Sequence, residues 1–178
     1  MRIIAGSAKG RRLLSSATLD IRPTSDRVRE NLFNILMPRI AGARFLDLFC
    51  GTGANGIEAL SRGAAHATFI DNSTTALRLT RDNLERCRLG GVASVERLSL
   101  PEQLQPCPHP FDIIMADPPY AYEGYETLLA TLVTKGFLAS DGVVVVETGH
   151  KTTLPDSVHE LCCTQQRRYG DTALTFYS

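Results

Sequence analysis

The sequence predicts an α/β fold built on a mostly parallel β-sheet. From Phe45 onward, short apolar runs alternate with segments of helical periodicity, a pattern typical of βαβ units. The chain has 178 residues, the size of one domain, so a single globular unit is expected. Apolar residues make up 43% of the chain and charged residues 21%, a balance that excludes a disordered or collagen-like protein.

Seven apolar runs predict the strands of this sheet. In chain order they cover residues 45–49, 67–71, 94–98, 111–116, 142–147, 161–168 and 173–177. No helical segment separates the last two runs, which are joined by Tyr169-Gly170-Asp171. Because only antiparallel strands can be joined by so short a connection, these two runs predict a hairpin at one edge of the sheet.

Helical patterns lie between the strands. One predicted helix is capped by Ser73 and ends at Gly90-Gly91. Its inward-facing positions are Ala76, Leu77, Thr80, Leu84 and Cys87. Another helix is predicted from the spacing of Tyr125, Leu128, Leu129 and Leu132.

A further helix is predicted ahead of the first strand. Thr24 or Ser25 could cap it, and Pro38 predicts that it ends before that residue. Its apolar positions are Val28, Leu32, Ile35 and Leu36. Residues 1 to about 20 hold two short apolar runs separated by glycine and lysine, which predicts a hairpin or arm outside the main sheet.

The net charge of zero conceals a basic amino-terminal segment. Residues 1–44 carry nine basic groups against three acidic ones, and eight of the nine are arginine, whose planar guanidinium suits phosphate and base recognition. The nine are Arg2, Lys9, Arg11, Arg12, Arg22, Arg27, Arg29, Arg39 and Arg44. This segment either binds a polyanion or forms a solvated surface arm, and charge alone does not decide between the two.

The cysteines and histidines show no metal-binding spacing. The five cysteines include no CxxC pair and the four histidines no HExxH-like motif, so we expect reduced thiols and no metal. No apolar run reaches the roughly 18 to 20 residues of a membrane span. Nor does the start have the apolar segment of a signal peptide, so we expect a cytoplasmic protein.

A glycine-rich turn follows the first predicted strand. Gly51, Gly53 and Gly56 form a GxGxxG pattern, in which the backbone can approach a ligand closely. Asp71 ends the next strand, where a carboxylate can accept hydrogen bonds from the ribose hydroxyls of an adenosine. These residues indicate an adenosine-containing cofactor, which could be a dinucleotide or another nucleoside.

The carboxylate of Asp47 favours one of these cofactors. It precedes Gly51 by four residues and faces the place where a dinucleotide would put its pyrophosphate, and like charges repel. S-adenosylmethionine carries an ammonium and a sulfonium but no phosphate, so it suits this position better. Alternatively, Asp47 caps a local turn.

A second motif follows the strand at 111–116. Asp117-Pro118-Pro119-Tyr120 stands at the carboxyl end of that strand, where open α/β sheets bind ligands. An exocyclic base amine is a poor nucleophile because its lone pair is delocalised into the ring. The Asp117 carboxylate and the Pro118 carbonyl can accept hydrogen bonds from such an amine, while Tyr120 offers a face to the base or to the sulfonium. The alternative is an ordinary surface turn.

These motifs carry a resemblance to a known family. The segments LDLFCGTGANGIEALSRGA, FIDNS and FDIIMADPPY, with the final pair of strands, resemble the class I, Rossmann-like S-adenosylmethionine methyltransferases. That family has a seven-stranded, mostly parallel sheet of order 3-2-1-4-5-7-6 with the last strand antiparallel. MRIIAGSAKGRRL and residues 22–36 are similar to the RsmD-type bacterial enzymes, which methylate a guanine N2 amine in 16S ribosomal RNA.

The resemblance covers essentially the whole chain and implies a role for each matching position. We divide the chain into a basic hairpin and helix extension, 1–40, and a methyltransferase domain, 41–178. The implied cofactor contacts are Asp47, Gly51 and Gly53 toward the methionine part, Asp71 toward the ribose, Ser99 and Leu100 beside the adenine, and in addition Asn72 and Asp117. The implied catalytic residues are Asp117, Pro118 and Tyr120. The residues expected to bind RNA are Lys9, Arg11, Arg12, Arg22 and Arg27.

The implied reaction is direct, in-line methyl transfer to the guanine amine, without a metal or a covalent intermediate. We expect the substrate to be 16S ribosomal RNA within a small ribosomal subunit or an assembly intermediate, and the enzyme to be a monomer. The DPPY motif is shared with DNA adenine and cytosine amino-methyltransferases, so an enzyme acting on DNA or another RNA is the closest alternative. An NAD-binding oxidoreductase would leave DPPY and Asp47 unexplained. A non-catalytic RNA-binding module would be expected to have lost the glycine loop or DPPY, and this sequence keeps both.

Overall fold

The computed structural model of the protein describes residues 1–15 and 26–178. The helices are α1 (Asp26–Ile40), α2 (Ala54–Ser61), α3 (Thr74–Cys87) and α4 (Tyr125–Thr134), and a short 3-10 helix covers Gly90–Val92. The strands are β1 (Arg44–Leu48), β2 (His66–Asp71), β3 (Ala93–Arg97), β4 (Phe111–Ala116), β5 (Leu138–Gly149), β6 (Ser157–Val158), β7 (Leu161–Tyr169) and β8 (Thr172–Tyr177). None of the helices described has the length and apolar character that a membrane span requires.

All the described strands belong to one sheet of order β3-β2-β1-β4-β5-β8-β7-β6. Strands β1 to β5 pair in parallel, and β8 lies antiparallel between β5 and β7. Because β7 and β8 are the sixth and seventh runs of the sequence, the Rossmann-like order 3-2-1-4-5-7-6 is confirmed. The strand count differs, since β6 pairs with the start of β7 and adds an eighth strand. A strand of two residues is too short to leave a periodic pattern in the sequence.

Side chains alternate across the sheet and form two hydrophobic cores. Phe45 and Leu46, neighbours in β1, belong to different cores. Helices α1, α2 and α3 pack on the Phe45 face, whereas α4 packs on the Leu46 face through Leu128 and Leu132. The two helix layers leave the carboxyl ends of the parallel strands accessible between them, which is where α/β sheets bind ligands.

Helix α1 extends farther than the sequence predicts. It runs to Ile40 and contains Pro38, so the prediction that it ends before Pro38 is wrong. Ile40 is buried in the same core as Leu36, and this packing of the last turn outweighs the backbone hydrogen bond that proline cannot donate. The suggested caps Thr24 and Ser25 lie outside the described residues.

Helix α3 begins as predicted and ends earlier. The Ser73 hydroxyl accepts a hydrogen bond from the backbone N–H of Ala76 at 3.2 Å, which confirms Ser73 as the N-cap. The helix ends at Cys87 because Arg88 takes a left-handed conformation with φ 58°, so Gly90-Gly91 is not its stop. A glycine usually fills such a position, which is why the sequence predicts that the helix ends at the nearest glycines.

The amino-terminal residues form the predicted hairpin. Arg2 and Arg12 make an antiparallel bridge, and Ile3 and Gly10 belong to the same turn, in which the Gly10 N–H donates to the Ile3 carbonyl at 2.8 Å. The hairpin packs on the body of the protein through Ile3, whose side chain is buried in the core beneath α1 and α2. The division into an extension of residues 1–40 and a domain of residues 41–178 stays a prediction.

Two buried polar side chains attach this hairpin to the helices that flank the glycine loop. Glu58 of α2 accepts hydrogen bonds from the backbone N–H groups of Ile4 and Ala5, at 2.8 and 3.0 Å. Asn83 of α3 accepts from the N–H of Leu14 at 2.7 Å and donates to its carbonyl at 3.1 Å. The strand-like backbone of the hairpin is thereby satisfied by side chains instead of by the main sheet.

One arginine of the basic segment does not belong to its surface. Arg29 is fully buried, where its guanidinium pairs with Asp26 at 2.9 Å and donates to the Arg2 carbonyl at 2.6 Å. Its Nε lies 4.0 Å from the buried Glu58 carboxylate. Arg29 therefore joins α1 to the hairpin and cannot contribute to binding a polyanion, which corrects its inclusion in a segment predicted to bind a polyanion or to form a solvated arm.

Candidate active site

Three carboxylates converge where neighbouring parallel strands end. Asp47 lies in β1, Asp71 ends β2 and Asp117 follows β4, and these three strands are adjacent in the sheet. Burial raises the pKa of Asp47 well above its ordinary value, and the negative charges of Asp117 and Asp71 raise it further. The arrangement concentrates negative charge at one point and favours a positively charged ligand there.

The glycine loop wraps around the Asp71 carboxylate. One carboxylate oxygen accepts the Gly51 N–H at 3.0 Å, and the other accepts the Ser73 N–H at 2.8 Å. The loop is also tied to the end of β2 by the Cys50 N–H, which donates to the Ile70 carbonyl. Each carboxylate oxygen can accept more than one hydrogen bond, so Asp71 can also accept from ribose hydroxyls.

Asp47 holds the start of α2. Its side chain is 1% exposed, and one oxygen accepts the Gly56 N–H at 2.8 Å. The turn-capping interpretation of Asp47 is therefore observed, and a contact of the same carboxylate with a ligand stays a prediction.

Close packing explains two of the loop glycines. Gly53 has φ 76°, in the left-handed region that favours glycine, and a Cβ there would lie 2.9 Å from the Thr80 methyl group. A Cβ on Gly56 would lie 2.3 Å from the Phe69 ring, which is fully buried in β2. Both glycines thus let α2 start directly against the β2 and α3 side chains.

We expect Gly56→Ala to lower the free energy of unfolding by about 1–3 kcal/mol, because the new methyl group overpacks the site against Phe69. Thermal and denaturant unfolding would measure the change. Gly91→Ala is the matched control, since a Cβ at Gly91 meets no atom within 4 Å. Equal stability of the two variants would contradict the packing role of Gly56.

The DPPY segment is fixed against the sheet at the end of β4. The Asp117 N–H donates to the Leu48 carbonyl of β1 at 3.4 Å, and the Tyr122 N–H donates to the Pro119 carbonyl at 2.8 Å. Pro118 is buried and Asp117 half-buried, whereas Tyr120 is 61% exposed. The segment therefore starts as an extension of the strand and ends with an aromatic ring offered to solvent, which an ordinary surface turn does not require.

An aromatic cluster that the sequence did not predict lies beside DPPY. The Tyr122 ring packs edge-on against Phe49 at 5.2 Å and against Tyr125 at 5.1 Å between centroids. Burial raises the pKa of Tyr122 to about 12, and its hydroxyl donates to the Gly124 carbonyl. Phe49 itself has φ 56°, an uncommon conformation for a bulky residue. These rings join the end of β1 to the start of α4 and form an apolar wall next to Asp117.

Two polar residues of α3 hold the glycine loop, and sequence reasoning missed their role. The Thr80 hydroxyl donates to the Gly51 carbonyl at 3.0 Å, and the Asn83 amide donates to the Thr52 carbonyl at 2.9 Å. Both side chains are fully buried. Their signal was present, because a polar residue on the apolar face of a helix is uncommon unless it has a hydrogen-bond partner.

The remaining predicted cofactor contacts flank the site on the β3 side. The backbone carbonyl of Asn72 accepts a hydrogen bond from Arg97, and the N–H of exposed Ser99 donates to the Gln103 side chain at 2.7 Å. Leu100 is half-buried and packs on the core that faces α4. The roles of these three residues toward a cofactor stay predictions.

The four predicted RNA-binding residues that the structure describes lie on the surface and in part far from the carboxylates. Lys9, Arg11, Arg12 and Arg27 are exposed, and Arg22 lies outside the described residues. The Arg11 guanidinium contacts the Arg86 carbonyl in the last turn of α3, whereas the first turn of that helix follows Asp71. At 1.5 Å rise per residue, the 14 residues of α3 separate the two ends by about 20 Å.

In the described part of the chain, no group of three or more His, Cys, Asp or Glu side chains is placed to hold a metal ion.

Comparison with known proteins agrees with this geometry. The family model Conserved hypothetical protein 95 matches residues 1–178. The chain is 38% identical to YlbH of Bacillus subtilis, named as a candidate rRNA methyltransferase, over 99% of this chain and 98% of the relative. It is 35% identical to ribosomal RNA small subunit methyltransferase D of Escherichia coli K12, over 99% of this chain and 89% of the relative.

Solved structures give the same result. The structure of yhhF, a candidate methyltransferase of Escherichia coli, superposes with a TM-score of 0.88 at 35% identity and covers 99% of this chain and 96% of that one. The match extends from the hairpin to the final strands, so it includes both motifs of the site. The chain therefore belongs to the Conserved hypothetical protein 95 family of RsmD-type methyltransferases, as its resemblance predicted.

Proposed function

We propose that the protein transfers a methyl group from S-adenosylmethionine to the exocyclic N2 amine of a guanine in 16S ribosomal RNA of the small subunit. The observation that carries the proposal is the juxtaposition of Asp47, Asp71 and Asp117 at adjacent strand ends, with the DPPY segment beginning at the third. The names of the relatives support a methyltransferase of small-subunit ribosomal RNA. A ribosomal substrate would place the protein in the cytoplasm.

The residues of the site fit this cofactor. Asp47 and Asp71 would face a ligand with two positive charges, the ammonium and the sulfonium, and Asp71 retains acceptor capacity for the ribose hydroxyls. A cation beside Asp47 would favour ionisation of this buried carboxylate, whose pKa its surroundings raise. The pyrophosphate of a dinucleotide would add charge of the wrong sign to the same place, which argues against the oxidoreductase alternative.

The DPPY residues orient the amine for methyl transfer. Held by Asp47 and Asp71, S-adenosylmethionine would supply an electrophilic methyl group, with its sulfur as the leaving group. The Asp117 carboxylate and the Pro118 carbonyl accept hydrogen bonds from the amine and direct its lone pair toward that carbon. As the nitrogen–carbon bond forms, the amine becomes acidic, and its proton passes to Asp117 or to water.

The exposed ring of Tyr120 receives the base. Tyr120 extends beyond the buried Pro118 and is 61% exposed, so its ring is accessible to a base. A guanine must first leave the base stack of the RNA before it can stack on this ring. Flipping a base costs a few kcal/mol in a duplex and less in a loop. Contacts to the RNA backbone elsewhere on the protein would offset that cost, and the exposed arginines are the residues suited to make them.

A nucleoside mass analysis tests the function. Purified protein and methyl-labelled S-adenosylmethionine are incubated with small ribosomal subunits from a strain that lacks the gene, beside deproteinised 16S RNA and DNA. Label in N2-methylguanosine from 16S RNA is the expected result, and a preference for subunits would show that an assembled particle is the substrate. Label only in DNA adenine or cytosine would support methylation of a base amine and contradict 16S RNA as the substrate. No label in any nucleic acid would overturn the proposal.

Charge reversal in the hairpin tests its role in RNA binding. With Arg11→Glu and Arg12→Glu, we expect RNA affinity to fall and its dependence on salt to flatten, because fewer counterions are released on binding. Cofactor affinity should hold, since Arg11 contacts the far end of α3 and Arg12 follows it in the hairpin. Filter binding over a salt series measures the first effect, and calorimetry with S-adenosylhomocysteine measures the second. Unchanged RNA binding would leave the hairpin as a solvated surface.

A further inference from the structure

A groove between α1 and the end of β7 has the composition of a nucleotide-binding surface. It encloses about 420 Å³ and is lined by Asn31, Asn34, Ile35, Arg167, Arg168 and Tyr169. Both arginines are exposed, and Tyr169 is half-buried against the core beneath α1. Of the predicted RNA-binding residues, the four that the structure describes do not line this groove.

The strand register places the groove at the same end of the strands as DPPY. Ala116 of β4 pairs with Val146 of β5, Val146 with Thr175 of β8, and Thr175 with Gln166 of β7. Because β7 runs in the same direction as β4, the next residues, Asp117 and Arg167, lie at the same level along the strand direction. Three strand spacings separate them, or about 14 Å across the sheet. A few nucleotides of an extended RNA strand span that distance.

The groove continues the exposed face of α1. Arg27, Asn31 and Asn34 follow one another at helical spacing and are all accessible, and the Asn31 amide donates to the Arg27 carbonyl at 2.9 Å. Arg27 is itself expected to bind RNA. The predicted RNA surface on α1 and the groove therefore adjoin each other.

The lining chemistry matches single-stranded RNA. The guanidinium groups suit phosphates, the two amides suit base edges, and the half-buried tyrosine ring suits a base face. Among the described residues that line the groove, two are cations and none is a carboxylate, although the chain has no net charge. Resting on the proposed function, we propose that this groove binds the RNA strand that flanks the target guanine, with Arg167, which shares the α1 face of the sheet with Tyr169, on its phosphates.

Charge reversal with a matched control tests the groove. The test protein carries Arg167→Glu and Arg168→Glu. The control carries Arg39→Glu and Arg81→Glu, which make the same change in net charge at two exposed positions, one in the last turn of α1 and one in α3, and neither residue lines the groove. Binding to small ribosomal subunits and to deproteinised 16S RNA is measured for both over a salt series.

We expect the test protein to lose roughly tenfold in affinity for both RNA forms and the control less than about threefold. Loss of the phosphate contact of Arg167 should also reduce the slope of log affinity against log salt by about 0.7, the value per contact for single strands. S-adenosylhomocysteine affinity should be unchanged in both, which also shows that they fold. Arg167→Gln with Arg168→Gln repeats the test if the first variant does not bind S-adenosylhomocysteine.

The outcomes separate this inference from the proposed function. Equal RNA affinity of the test and control proteins overturns the assignment of the groove to RNA binding, even where the wild type methylates 16S RNA. A defect confined to subunits and absent with deproteinised RNA overturns RNA as the occupant and indicates a ribosomal protein. A wild type that methylates no RNA overturns the proposed function, and the groove assignment falls with it.

Discussion

Replacing Asp117 with alanine is expected to reduce methyl transfer by roughly two orders of magnitude, the usual cost of removing one group that stabilises the transition state by hydrogen bonding. The variant keeps the backbone N–H that donates to the Leu48 carbonyl, so the DPPY segment should retain its position. S-adenosylhomocysteine affinity should change little, because Asp47 and Asp71 would still hold the cofactor. The loss should therefore fall on kcat.

Single-turnover methylation of small ribosomal subunits, with calorimetric titration of S-adenosylhomocysteine, measures the two effects separately. Asp117→Asn retains one acceptor oxygen without the charge, and we expect a rate between those of the wild type and of the alanine variant. Asp141→Ala is a control, because Asp141 is exposed and precedes the part of β5 that pairs with β4 near the site. An alanine variant with more than about a tenth of the wild-type rate would refute the assignment of Asp117 to the amine.

The parts of the site that could be predicted are encoded by adjacent residues. The glycine loop and DPPY are short segments that each follow an apolar strand, so a local pattern identifies both the residues and the strand end that carries them. The order of the strands came from the resemblance. Parallel pairing alone does not specify which strands are neighbours, and that order is what brings Asp47, Asp71 and Asp117 together.

The parts that could not be predicted depend on contacts between distant residues. Asn83 connects Leu14 to Thr52, and the groove joins α1 to β7, although more than 130 residues separate Asn34 from Arg167. No local pattern encodes such pairs. Burial causes a similar failure at Arg29, since a basic residue in a basic segment reads as a surface cation until its ion pair with Asp26 is seen.

Replacing Asp47 with asparagine is expected to weaken S-adenosylmethionine binding by roughly 30-fold, or about 2 kcal/mol, as when one member of a buried charge pair is removed. Asparagine keeps an oxygen that can accept the Gly56 N–H, so the turn at the start of α2 should persist. In the absence of cofactor, the variant should be more stable than the wild type at neutral pH, because it no longer buries a carboxylate beside Asp71 and Asp117.

The pH dependence distinguishes a ligand-binding role of Asp47 from a purely structural one. Folding raises the pKa of Asp47 above 3.8, so the folded state favours the protonated form. The wild type should therefore lose stability relative to the variant as pH rises from about 3.8 through the raised pKa, and the difference should be constant above it. Cofactor affinity of the wild type should rise over the same window, because the cationic ligand requires the ionised carboxylate, and the variant should lack this rise. Denaturant unfolding and calorimetry across that range measure both effects. A variant less stable than the wild type at neutral pH, with unchanged cofactor affinity, would show that Asp47 only caps the turn at Gly56.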